Sequence, residues 1–374
     1  MDQASASGSG VAPPLTPPVI TPPPPPRPRK GRGWMIVAII LFVLLGFSVL
    51  LNIGGFFSEL GRMSMLPVTR HGGPRLEEFV LEDNGASAKF AVVRIEGIIS
   101  HMVERGGFNM VEILQAQFKR ATEDPKVKAV LLRVDSPGGE VLASDEIART
   151  IREFQEQTDK PVVACLQSLG ASGGYYVAAP CRWIVANELT ITGSIGVILS
   201  TWNYRGLMNK VGIRPFTFKS GRFKDMLSGS REPDEITSEE KEMVQRLVDE
   251  VYAKFKQVVA EGRRAAADAR SGEGRALASN WTEFADGRVL SGREAYELGF
   301  VDELGSFETA VKRAQKLARV PRANLVEYRQ RVDLSDLLGL FGQSEARTVK
   351  LELGLEPPKL EAGRLYFLPP TYVQ

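Results

Sequence analysis

The chain reads as an α/β protein with a mainly parallel sheet, preceded by a single transmembrane helix. Three observations carry that expectation. From about residue 87 onward, strand-like apolar runs alternate with stretches of helical periodicity, the signature of successive βαβ units. Ahead of them, Trp34 to Ile53 holds no formal charge. The whole chain is 43% hydrophobic and 25% charged over 374 residues, which suffices for a sizeable core.

Residues 1–33 are rich in Ala, Ser, Gly and Pro, with a proline run from Pro22 to Pro26. Such a segment buries too little apolar surface to offset its ordering entropy, so a disordered cytoplasmic tail is expected. Residues 34–53 are expected to be a membrane anchor, because a helix of that length spans about 30 Å, the thickness of the hydrocarbon core. A cleaved signal peptide would have a shorter apolar region and a small-residue cleavage site, and GGFFSELGRMSML offers none. Arg27, Arg29, Lys30 and Arg32 precede the span and favour a cytoplasmic N-terminus. Residues 54–86 read as a stalk.

The folded domain is expected over 87–328. AVVRIEGII (91–99) is strand-like and 109–122 helical. VKAVLLRVD (126–134) is a buried strand running into SPGG, 140–156 a helix, and PVVACLQS (161–168) a third strand. Shorter strand-like pieces follow near 183–186, 195–200 and 213–218. Thr237 and Glu240 have capping-box spacing. Behind them Val244, Leu247, Val248, Val251, Phe255, Val258 and Val259 make one apolar helical face. Two helical stretches around a glycine turn close the domain, and 329–374, with Pro357, Pro358, Pro369 and Pro370, reads as a C-terminal tail.

Composition excludes several chemistries. The net charge is only +2 and its basic excess lies beside the apolar span, so no nucleic-acid footprint is expected. The two histidines, His71 and His101, form no metal motif with the two cysteines, Cys165 and Cys181, so no metal is expected. The cysteines read as small buried hydrophobes, with a single disulfide open in an oxidising compartment. A Ser-His-Asp triad would need one of the histidines. His71 lies in the stalk, and His101 follows a strand and stays open on sequence grounds.

Four segments could carry chemistry. Asp135-Ser136-Pro137-Gly138-Gly139 sits where a buried strand meets a helix, and bare glycine backbone there can present N–H groups to an oxyanion; it is equally a tight turn. Leu169-Gly170-Ala171-Ser172-Gly173-Gly174 sets one serine among small neighbours at a strand-to-helix junction, but outside the G-x-S-x-G pattern, and it is equally a helix cap. Lys219 to Asp225 contains Lys224, and a lysine serves as a base only where burial or a neighbouring cation favours its neutral form. Thr192-Gly193-Ser194-Ile195-Gly196 offers hydroxyls to orient it.

Together, DSPGG (135–139), SLGASGGYY (168–176), TGSIGV (192–197), SGRFKD (220–225) and the later GRVLSGREAYELGFVDELG (287–305) resemble signal peptide peptidase A, over about residues 88–325. That family shares the stacked βαβ fold of the caseinolytic protease and the crotonases (ClpP/crotonase-like). The resemblance implies Ser172 as nucleophile, Lys224 as general base, Ser194 as the residue orienting the lysine, and the amides of Gly139 and Gly173 as the oxyanion hole. It implies no cofactor. It implies peptide substrates, remnant signal peptides, and a homo-oligomeric ring resembling a dome of eight, in which serine and lysine meet across neighbours. The expected location is a bacterial inner membrane, with the catalytic domain periplasmic. Arg222-Phe223 departs from the family pattern, where a tyrosine often precedes the lysine. Three alternatives accompany this reading: a crotonase-like acyl-CoA enzyme, a relative cutting stomatin-like proteins, and a non-enzymatic membrane assembly protein whose Pro-rich tail binds partners.

Overall fold

The computed structural model describes residues 38–45, 48, 73–103, 107–269 and 273–330, and the backbone of 366–367. The chain divides into two compact units, Met1–Val68 and Thr69–Gln374. In the first, 38–45 and 48 are helical with exposed side chains. Among the described residues no helix is long and apolar enough to cross a membrane. The expected tail 1–33, most of the stalk, and 331–365 lie outside the described residues.

The second unit is built on one sheet. Its strands are β1 (Leu76–Glu82), β2 (Lys89–Ile99), β3 (Val127–Glu140), β4 (Val162–Ala171), β5 (Trp183–Ala186), β6 (Ile191–Gly193), β7 (Val289–Ser291), β8 (Glu303–Leu304), β9 (Asn324–Gln330) and β10 (Tyr366–Phe367). The main order is β1-β9-β2-β3-β4-β5-β8. From β9 to β8 every neighbour in that order is parallel. β1 pairs antiparallel with β9, β7 with β6, and β10 with β3. The α-helices are α1 (Met110–Glu123), α2 (Val141–Thr158), α3 (Gly173–Ala178), α4 (Arg205–Lys210), α5 (Ser238–Ala269), α6 (Gly292–Glu297) and α7 (Phe307–Leu317).

The continuous apolar runs of β2, β3 and β4 are explained by burial on both faces, the habit of parallel strands. Val93, Leu132 and Ala164 point to one core with Leu114, Ile147, Tyr175 and Phe255. Val92, Leu131 and Cys165 point to the other, against Ala310 and Ala314 of α7. Cys165 and Cys181 belong to these opposite cores and both are free. Burial pushes the Cys165 thiol up to about 11, so it is an inert packing group.

Several boundaries differ from the sequence reading. Leu76–Glu82, assigned to the stalk, is an edge strand of the catalytic sheet. The sheet also continues past residue 328, because β9 lies between β1 and β2. Both segments are held by long-range pairing that no local pattern reveals. The strand-like pieces at 195–200 and 213–218 do not form ladders; Ile213, Phe216 and Phe218 stand exposed instead. The capping box at Thr237 forms, with the Thr237 amide donating to Glu240 at 2.8 Å and the Glu240 amide to Thr237 Oγ1 at 3.2 Å. Of the apolar stripe behind it, Phe255, Val258 and Val259 are buried, while Leu247 is exposed.

A buried ion pair ties α5 to the rear of α3. Arg263 meets Asp302 at 2.5 Å, with both side chains almost fully buried. The guanidinium also donates to the carbonyls of Ala179 and Cys181, and the Ile184 amide donates to Asp302 at 2.8 Å. Removing one partner of such a pair strands a charge in a low-dielectric site. Asp302→Ala is therefore expected to lower unfolding free energy by about 3–5 kcal/mol, read from denaturant melts of the purified protein.

Candidate active site

Ser172 stands where β4 ends and α3 begins. Its backbone has φ 53° and ψ −118°, outside the regions an L-residue ordinarily adopts. The strain is held from outside. Ala171 pairs in register with Gly193, and the Ser172 amide donates to the Gly193 carbonyl at 2.8 Å. Thr192 Oγ1 donates to the Gly170 carbonyl at 2.7 Å, pinning the same strand ends. The result is a sharp strand-to-helix turn centred on the serine. Its Oγ is buried and has no hydrogen-bond partner among the described residues, an unusual state for a buried hydroxyl outside functional sites.

Ser194 follows Gly193 directly, so β6 sets it beside Ser172 at the ends of two paired strands. It too has positive φ, 49°, and its amide donates to the Arg288 carbonyl at 2.7 Å. Arg288 is in turn held by Asp286, whose carboxyl the guanidinium hydrogen bond pulls down to about 2. The late motif 287–305 thus supports the turn carrying Ser194.

Gly139 and Gly173 come from different strand ends and lie against each other. A Cβ on Gly173 would sit 3.0 Å from the Gly139 nitrogen and 2.7 Å from Ser144 Oγ. A Cβ on Gly139 would fall 1.9 Å from the Ile99 carbonyl oxygen. Only bare backbone fits at either position. Gly173 opens α3, where a first-turn N–H has no acceptor within the helix. Two closely approaching glycine backbones next to the buried serine are the kind of arrangement that can hold an acyl oxyanion.

Lys224 is not brought to Ser172 within the chain. Its side chain is exposed, and no hydrogen bond or ion pair engages it among the described residues. Its neighbours are engaged. Lys219 pairs with Asp225 at 2.7 Å, and Arg222 pairs with Glu239 while its guanidinium lies over the Phe223 ring. The segment is therefore shaped by ion pairs that leave Lys224 free.

His101 is not a base for Ser172. Its Nδ1 lies 3.1 Å from Glu140 and its Nε2 3.3 Å from Glu146, so both ring nitrogens are taken. His71 lies outside the described residues. No group of side chains able to hold a metal occurs among the described residues. Sequence reasoning passed over Gly193, Ser144 and Glu140. Gly193 lies inside the TGSIGV motif and Glu140 directly after DSPGG, but their roles depend on contacts between elements.

The chain is similar to known peptidases. The model of peptidase family S49 matches residues 154–321. A candidate signal peptide peptidase SppA of Enterococcus faecium is 34% identical over 306 residues, 80% of this chain and 84% of that protein. The chloroplastic serine protease SPPA of Arabidopsis thaliana is 31% identical over 277 residues, 72% of this chain and 39% of its own. Protease 4 of Haemophilus influenzae is 32% identical over 241 residues, 63% of this chain and 36% of its own. The chain thus spans little more than a third of the two longer relatives.

Ser172→Ala removes an unpartnered buried hydroxyl, a group whose desolvation costs about 1–3 kcal/mol when unpaired. The variant is expected to melt at the wild-type temperature or above it in calorimetry. A clear fall would mean that the hydroxyl has a stabilising partner.

Proposed function

We propose that this chain, which belongs to the family of signal peptide peptidase SppA and is a serine peptidase, degrades remnant signal peptides through an acyl-enzyme on Ser172 with Lys224 as general base. The observation that carries the reading is the buried, unpartnered Ser172 Oγ on its strained turn, beside the glycine backbones at 139 and 173.

In the proposed first half-reaction, neutral Lys224 takes the Ser172 proton as Oγ attacks the peptide carbonyl. The oxyanion sits on the amides of Gly139 and Gly173. When the C–N bond breaks, the lysine returns the proton to the leaving amine. Water then gives its proton to Lys224, attacks the ester carbon, and releases the second fragment, with Ser172 regaining its proton. Ser194 orients the lysine. A substrate in extended form suits this site, because the edge of β3 at Gly139 and Glu140 accepts β10 as an antiparallel strand.

The lysine would come from a neighbouring protomer. Trp202, Phe216 and Phe218, on the same stretch of chain as Lys224, are 74%, 86% and 96% exposed. Apolar side chains this bare in an isolated chain favour an interface. Packing there would also favour the neutral amine that a base requires. A closed homo-oligomer, as in a ring of eight, satisfies both needs. The uncharged Trp34–Ile53 stretch and the basic residues before it support anchoring in a bacterial inner membrane, with the catalytic domain on the periplasmic side. Stomatin-like proteins are the other substrate class to assay.

The test uses detergent-solubilised full-length protein and a serine-directed covalent inhibitor, with the adduct located by mass spectrometry. Labelling is expected at Ser172 and is expected to be lost in both Ser172→Ala and Lys224→Ala. Co-expressing the two inactive variants is expected to restore part of the peptidase activity, because a mixed oligomer pairs an intact serine with an intact lysine. Labelling elsewhere would overturn the nucleophile. Failure of the mixture to regain activity would place the dyad within one chain.

A further inference from the structure

We infer that His101 is a positioning residue for the oxyanion hole, acting as an imidazolium clamped between Glu140 and Glu146. The inference rests on Gly139 supplying an oxyanion amide. It starts from connectivity. Ile99, the last residue of β2, pairs with Gly139, and its carbonyl lies where a Gly139 side chain would have to go. His101 comes two residues later. Glu140 directly follows Gly139 and is the cap residue of α2. One Glu140 oxygen faces both the His101 amide, at 3.3 Å, and His101 Nδ1, at 3.1 Å. On the other side of the ring, Nε2 faces Glu146 of α2 at 3.3 Å.

A carboxylate at each ring nitrogen demands a proton on each. A neutral imidazole has one N–H and would turn a lone pair toward one of the two acceptors. The geometry therefore selects the charged ring. Among the described residues, the charged and titratable groups facing it are Glu140 from the end of β3 and Glu146 from α2. Partial burial disfavours the charge, but the hydrogen bonds to Glu140 and Glu146 and their charges outweigh it, and the pKa is raised above the ordinary 6.5.

The clamp reaches both proposed oxyanion amides. The Glu140 carbonyl accepts from Ser144 Oγ at 2.8 Å, and that oxygen sits 2.7 Å from the place a Gly173 side chain would occupy. Glu140 is thus held by its carboxylate to His101 and by its carbonyl to Ser144, which packs against Gly173. Loosening the His101 side frees the residue that follows Gly139. Small displacements of an oxyanion donor are costly to turnover, because the donor must meet the charge where it develops. The sign follows from the raised pKa. The clamp is complete below pH about 6.5 and is lost as pH rises through the folded-state value.

The experiment measures kcat and KM for full-length, assembled wild type and His101→Gln from pH 6 to 9.5 on one fluorogenic peptide. The ratio of the two enzymes cancels any titration they share, that of Lys224 included. The expected ratio in kcat is about tenfold at pH 6, falling toward one at high pH, with KM unchanged; tenfold is well below the effect of deleting an oxyanion donor. Glu146→Gln, a substitution at the solvent side of the clamp, is expected to lower the pH at which kcat loses the contribution of the clamp, read as the ratio of this variant to wild type, and that ratio serves as the readout if His101→Gln does not assemble. A ratio that is flat with pH, or an effect confined to KM, overturns the inference. Ser172 labelling in the same samples separates the two levels. Ser172-labelled wild type with a flat ratio sinks the His101 role alone, whereas activity without labelling at Ser172 sinks the reading beneath it.

Discussion

The close approach of bare backbone at Gly139 and Gly173 is the constraint on which the rest of the site depends. With a Gly173 side chain 3.0 Å from the Gly139 nitrogen, no residue but glycine lets β3 and α3 meet at this distance. That meeting sets two amide-bearing segments next to one hydroxyl. Around it the chain is over-determined. Ile99 presses from β2, Ser144 from α2, and Gly193 holds the serine amide from β6. A strained serine persists only in such a frame.

The frame itself comes from the two-faced parallel sheet. Alternate residues of β2, β3 and β4 feed opposite cores, so these strands cannot slip by one residue without exchanging their faces. Behind α3, Tyr175 donates to the Phe300 carbonyl at 2.9 Å, and Arg263 holds Asp302 and the carbonyls past the helix end. The nucleophile helix is short, but it is anchored at its rear by groups distant in sequence.

The contrast between the serine and the lysine is physical. Ser172 sits on a strained turn held by paired strands, and its Oγ has no partner among the described residues. Lys224 sits on a segment whose large apolar side chains face solvent. One half of the proposed dyad is folded into place and the other is presented outward.

Much of this was legible in the sequence. The alternation of apolar runs located β2 to β5 with α1 and α2, because local periodicity reports which faces are buried. The small residues around Ser172 marked its turn, because only certain residues tolerate it, whereas SPGG, read as a strand-to-helix turn, continues β3 to Glu140 by pairing with β2. Spacing alone placed the Thr237–Glu240 cap, a contact within one helical turn. What the tertiary structure decided is long-range. That Leu76–Glu82 and Asn324–Gln330 are neighbouring strands follows from pairing across most of the domain. So does the separation of Cys165 and Cys181 into different cores. The sequence left His101 open as a base for serine, and only its two carboxylate partners, from β3 and α2, gave it another place. Local chemistry names the residues able to act, but register and packing determine which of them meet.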